Sequence, residues 1–214
     1  MEAVNSPERA SRFHLGIVAT ISIFIGLILI GLTFVVAGRI RPGRGRARVE
    51  AEIIALEVAC ESYKADHGFY PQNPSATDTL DPRTAFDPAS GGYAASTKFL
   101  YQQLTGDENC NGKIDAGETA RDYAADLFKH IRLGGAKVNG VVTQVTCIQD
   151  PFGNPYGYST AGLAAEQAYR QAVAGGIANQ KDPAAGYNST FDLWSTGGGK
   201  TNSASDTAKW AKNW

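Results

Sequence analysis

Hydrophobic and polar positions divide the chain into a greasy N-terminal stretch and a patterned remainder. Residues 15–37 form a run of 23 without a charged side chain, filled by Ile, Leu, Val and Phe. An α-helix rises about 1.5 Å per residue, so roughly 20 such residues cross the hydrocarbon core of a bilayer. The run is longer than the 7–15 apolar residues of a typical signal peptide, and the reading is a transmembrane helix over 15–38 behind a polar segment, 1–14. Pro42, Gly43 and Gly45 interrupt the helical pattern, which resumes from Arg46 to about His67. There Val49, Ile53, Leu56, Cys60 and Tyr63 recur in steps of four and three, one face of an amphipathic helix that must pack on a sheet. Gly68 and Pro71 end it, giving a helical stem over 39–71.

The pattern beyond residue 71 predicts a globular α+β head over 72–214. Residues 72–96 are rich in Pro, Ser, Thr, Asp and Gly and read as a long loop. Short helices are expected over 98–105 and 119–131. Asn139-Gly140 suits the type I′ turn of a hairpin, with 141–148 as the best strand in the chain. A turn follows at 150–155, then a short strand at 156–159. An Ala-rich helix over 163–174 reads as an insertion, and a last strand spans 190–194. The net charge of −1 gives no basic bias toward nucleic acid.

Four landmarks along the chain resemble one family. The stem ends Ala55-Leu56-Glu57-Val58-Ala59-Cys60-Glu61-Ser62-Tyr63-Lys64-Ala65-Asp66-His67-Gly68-Phe69-Tyr70-Pro71. Next come Asp150-Pro151-Phe152-Gly153-Asn154-Pro155-Tyr156, then Phe191-Asp192-Leu193-Trp194-Ser195-Thr196-Gly197-Gly198, and finally Asn213-Trp214. In this order they resemble the major pseudopilin of type II secretion (protein G), a type IV pilin-like family. The resemblance implies a pilin-like fold, with the long N-terminal helix packed on a small antiparallel sheet. It also implies a structural role without catalysis. The expected partners are other pseudopilin subunits, inner-membrane components of the secretion system and the membrane itself. The N-terminus departs from the family: Gly16 precedes Ile17 where the family has Phe, and Ile21 stands where it has Glu. No carboxylate lies within the span, which raises the alternative of a membrane-tethered, calcium-stabilised binding domain that never polymerises. Arg39, Arg41, Arg44, Arg46 and Arg48 follow the span, and by the positive-inside rule would hold the head in the cytoplasm. The resemblance places the head in the periplasm or outside the cell. The expectation follows the resemblance, because pilin stems often carry basic residues there.

The sharpest chemical motif is Asp107-Glu108-Asn109-Cys110-Asn111-Gly112-Lys113-Ile114-Asp115-Ala116-Gly117-Glu118. Its spacing fits the 12-residue calcium loop. Asp107, Asn109 and Asn111 take positions 1, 3 and 5, with Gly112 at the sharp turn. Lys113 offers its backbone carbonyl, Asp115 binds directly or through water, and Glu118 clamps with two oxygens. Ile114 is expected to face the core. Three carboxylates predict weak binding, on the order of 10⁻⁵ to 10⁻³ M, suited to a structural role outside the cell. The family's own calcium loop, after the Asp-Leu-x-Ser strand, keeps only Asp206 here, and a plain loop is as good a reading as a second ion.

Cys60 lies on the stem's apolar stripe, so Cys110 and Cys147 are the candidate disulfide. That bond would close a loop of roughly 38 residues, contribute about 4 kcal/mol and require an oxidising compartment. His14, His67 and His130 have no nucleophile or acid beside them in sequence. His67 reads as a helix-end group, and Trp210 and Trp214 as packing for the C-terminus.

Overall fold

The computed structural model describes residues 45–121, 123–177 and 185–214. The polar segment 1–14, the membrane helix expected over 15–38 with Gly16 and Ile21, and residues 39–44 of the expected stem lie outside the described residues. Among those described, no helix is long and apolar enough to cross a membrane. Residues from Gly45 to Trp214 cluster as one compact unit, so the described stem is part of the head.

The first described helix, α1, spans residues 45–67. Arg46–Glu50 and Arg48–Glu52 ion pairs, at 3.0 and 2.7 Å, brace its first turns at i,i+4 spacing. Gly68 ends it: its N–H donates to the Lys64 carbonyl at 2.7 Å, and its φ of +80° suits a residue without a Cβ. The stripe Val49, Ile53, Leu56, Cys60, Tyr63 is buried as the spacing requires. It shares one core with Val145, Ile148, Tyr156, Tyr158 and Leu193 of the strand regions. A side chain as fully buried as Leu56 contributes about 2 kcal/mol.

The fold is α+β, with two small antiparallel sheets. β1 (Arg132–Val138) pairs with β2 (Val141–Gln149) through the expected hairpin. Asn139 and Gly140 both have positive φ, +51° and +80°, as a type I′ turn demands. The second sheet has the order β3 (Gly157–Ser159), β4 (Asp192–Ser195), β5 (Ala211–Lys212). The chain passes between sheets through a Gln149–Pro155 bridge and the Tyr156 N–H bond to the Ile148 carbonyl.

The remaining helices differ in length from expectation. α2 runs Gly91–Thr105, seven residues earlier than the 98–105 expected. Its extra turns are held by tertiary contacts of Tyr93, whose hydroxyl donates to the Ala85 carbonyl and accepts the Trp194 indole N–H. Of the helix expected over 119–131, only α3 (Ala125–Phe128) forms. The stretch before it is drawn out to close the preceding loop, with the Arg121 N–H on the Thr105 carbonyl at 2.8 Å. α4 (Ala161–Ala174) buries only its first turn, as a surface insertion would. α5 (Ala204–Thr207) is a single turn capped by Ser203. Leu80, Tyr93, Trp194 and Trp210, with Trp214 against them, form a second, mainly aromatic core.

Candidate metal centre

The loop from Asp107 to Glu118 leaves the end of α2 through Gly106, whose φ is +83°. Only glycine fits there: a Cβ would lie 2.0 Å from the Thr119 carbonyl oxygen. Asp107 is buried at the loop entrance and organises the turn. Its Oδ1 accepts the Asn111 N–H at 3.1 Å, and its Oδ2 accepts the Gly112 N–H at 2.7 Å and the Tyr101 hydroxyl at 2.8 Å. Gly112 takes φ +84°, the left-handed conformation expected at the sharp turn.

The other candidate ligands fold inward from there. Asn109 Oδ1 accepts the Asn111 N–H, and Asn111 Oδ1 accepts the Lys113 N–H, both at 2.9 Å. The Asn109 and Asn111 amides both donate to Asp115 Oδ2, at 2.9 and 2.6 Å. Glu118 closes the ring. One carboxylate oxygen accepts the Glu108 and Asn109 N–H groups, and the other accepts the Asp115 N–H at 2.8 Å. Asp107, Asn109, Asn111, Lys113, Asp115 and Glu118 are thus gathered in one small loop, with Asn109, Asn111 and Asp115 meeting directly. Each amide oxygen has a second lone pair, and a half-turn of either amide would exchange nitrogen for oxygen beside Asp115. Apart from the buried Cys110 thiol, the loop offers hard oxygen donors, the ligand chemistry of calcium rather than zinc. Among the described residues, no three Asp, Glu, His or Cys side chains form a metal-holding group by themselves. The donor set depends on amides and a backbone carbonyl.

Two expectations for this loop are corrected. Ile114 does not face the core: it is 43% exposed. Cys110 takes the inward place instead. It adopts φ +60°, is fully buried, and its carbonyl accepts the Val145 N–H at 2.7 Å, fastening the loop along β2. The expected Cys110–Cys147 disulfide is also not formed, and all three cysteines are free, buried thiols. Cys110 lies beside Val145 with its thiol 3.9 Å from the Asp107 carbonyl. Cys147, two residues further along the strand, turns its thiol over Gly134 of β1, within 2.5 Å of where a Cβ there would sit. Burial pushes both thiols above their usual pKa.

Tyr101, Gln102 and Gln144 support the loop and escaped the sequence reading. The Gln102 and Gln144 amides donate to the Glu108 and Asn109 carbonyls at 2.6 and 3.3 Å. Burial, then the Asp107 carboxylate, raises the Tyr101 pKa and keeps its hydroxyl a donor. The aromatic and apolar spacing Tyr93, Thr97, Leu100, Tyr101, Leu104 on α2 was the available signal. Asp206, the candidate for a second ion, is already engaged. Its carboxylate takes the Lys209 ammonium at 2.7 Å, the Lys200 and Thr201 N–H groups and the Thr201 hydroxyl. Lys209 is the first cause of its depressed pKa.

No family model matches the chain, and no curated protein and no solved structure matches it either.

The resemblance landmarks, far apart in sequence, meet in space. The Asp150 carboxylate in the second accepts the Ser195 hydroxyl of the third. The Tyr70 ring of the first packs edge-on against Phe191 of the third, with ring centroids 5.0 Å apart. Asn213 Oδ1, in the chain ending, accepts the Leu193 N–H at 2.9 Å. His67 stacks on Tyr63 with ring centroids 4.0 Å apart at the end of α1, a helix-end role.

Proposed function

We propose that the chain is a structural, pseudopilin-like subunit of a type II secretion fibre or a related type IV pilus-like fibre. Residues 15–38 anchor it in the inner membrane, and the head lies on the periplasmic or outer side. The observation that carries this reading is the meeting of the four landmarks through Asp150–Ser195, Tyr70–Phe191 and Asn213–Leu193. The landmark residues tie the head together, and Tyr156 of the second closes it onto α1, its hydroxyl donating to the Glu52 carboxylate at 2.7 Å. The role is mechanical: the head is held and stacked, and no step of catalysis is assigned to it. Other subunits and the inner-membrane secretion components are its partners.

Calcium binds the loop from Asp107 to Glu118 and stiffens the head. The inward convergence of Asn109, Asn111 and Asp115 supports this. Calorimetric titration of the detergent-extracted full chain is expected to give one site with Kd on the order of 10⁻⁵ to 10⁻³ M. Glu118→Gln, which removes a clamping charge, is expected to weaken it at least about tenfold. Heat of the same size in both proteins would remove calcium from this loop.

Assembly is tested by sedimentation of the full chain extracted from membranes, with about 1 mM calcium or with chelator. Calcium-dependent oligomers are expected. A monomer under both conditions would favour the second reading, a tethered binding domain. The lack of a carboxylate within residues 15–37 favours that reading.

A further inference from the structure

Two of the apolar patches outside the cores stand beside groups of opposite charge. On α1, Ile54 and Val58 are each 60% exposed. They lie one turn apart, on the side of the helix turned away from the buried stripe. Glu50, Glu57 and Glu61 border them; Arg46, paired with Glu50, and Lys212 line the same groove, and Glu57 makes no ion pair among the described residues. At the tip of the β1–β2 hairpin, Val138 and Val141 face each other across the strands and are 60% and 62% exposed. The hairpin carries Arg132 and Lys137, with no acidic residue from Ile131 to Gln149. Isolated exposed apolar residues are ordinary. Here each patch is a neighbouring pair, one beside the unpaired carboxylate of Glu57 and the other on a hairpin whose only charges are Arg132 and Lys137.

We propose that the hairpin tip of one copy of this chain docks on the Ile54–Val58 face of the next, with Lys137 meeting Glu57. The inference rests on the fibre reading above and names the contact through which the subunits join. The two surfaces are different, so the contact is heterologous. Each copy offers one of each, and repetition builds an open polymer rather than a closed dimer. Like charges brought together at such a border cost binding, and opposite charges fix the register.

The test uses the membrane-extracted full chain in calcium. A disulfide needs Cα atoms within about 7 Å, so it reports direct docking. Oxidation of the Ile54→Cys/Val138→Cys double variant is expected to give a ladder of dimers, trimers and longer species. Each single variant is expected to give none, because the three native thiols are buried. Lys137→Glu is expected to lower the sedimenting fraction at least about fivefold, and adding Glu57→Lys to restore it to within about twofold. Lys137 is exposed, so the charge swap leaves the fold intact, and near-unchanged circular dichroism would verify that. A dimer from Ile54→Cys alone would mean that α1 meets α1 symmetrically and would overturn the proposal. Wild-type oligomers with no ladder and no effect of Lys137→Glu would overturn it while leaving the fibre reading standing. A monomeric wild type would remove both.

Discussion

Trp194→Ala is expected to lower the unfolding free energy of the head by about 3–5 kcal/mol, near the upper range for single substitutions. The indole is fully buried on β4 and sits at the centre of the aromatic core. Its ring lies 5.4 Å from Tyr93 at 72°, 5.8 Å from Trp214 at 69° and 6.2 Å from Trp210 at 19°. Its N–H donates to the Tyr93 hydroxyl at 3.0 Å, so truncation empties a large volume and also leaves that hydroxyl with only its bond to the Ala85 carbonyl. The space for the ring exists because Gly157, its register partner on β3, has no side chain. A Cβ there would fall 2.2 Å from the indole. Gly157→Ala is therefore expected to be as damaging as Trp194→Ala, and to be milder when combined with Trp194→Leu. Urea unfolding followed by far-ultraviolet circular dichroism measures this, with Cm falling and m unchanged. A loss under about 1 kcal/mol for Trp194→Ala would contradict the packing described.

The parts of the fold legible in the sequence were those fixed by local rules. The four-and-three spacing of Val49, Ile53, Leu56, Cys60 and Tyr63 announced the buried face of α1. Asn139-Gly140 announced the hairpin, because few other pairs accept two positive φ angles in succession. The start of α2 was not legible: Gly91-Gly92 signals a loop, and the helix begins there because Tyr93 is claimed by Ala85 and Trp194, far away in sequence. The candidate metal loop was legible in its ligand spacing, since those residues act within twelve positions of each other. Its inside and outside were not. Ile114 looked like the core anchor, but Cys110 takes that place, drawn in by pairing of its carbonyl with β2. The proposed Cys110–Cys147 bond failed for a related reason. Spacing states how long a loop would be, not where each thiol points: Cys110 toward the Asp107 carbonyl, Cys147 over Gly134.

Asp150→Ala is expected to cost about 3–4 kcal/mol, the second of the large effects. The carboxylate is fully buried and serves two landmarks at once. One oxygen accepts the Phe152 and Asn154 N–H groups at 2.9 Å each, and the other accepts the Ser195 hydroxyl, which itself receives the Gly197 N–H. Alanine leaves all of these donors to Asp150 unsatisfied in the interior. Asparagine keeps an acceptor for the turn and can donate to Ser195, so Asp150→Asn is expected to be far milder. It also separates charge from geometry. Burial holds the Asp150 carboxyl above the usual carboxylate range, against the pull of Ser195 and the turn N–H groups, and burial raises Asp192 in the same way. Between the unfolded value near pH 4 and the higher folded value, the native head keeps protons that the unfolded chain has released. The stability these groups contribute is therefore complete at the acid side of that window and declines as pH rises through it. Asp206, held low by Lys209, acts in the opposite sense and lies on the surface, where screening blunts it. With chelator present throughout, Cm for urea unfolding is expected to fall in the wild type as pH rises above the unfolded value, about 4. It is expected to fall less in Asp150→Asn and least in Asp150→Asn/Asp192→Asn. A single variant with the wild-type slope would mean that Asp150 is ionised at no cost inside the head, and that its burial does not govern how the landmarks are joined.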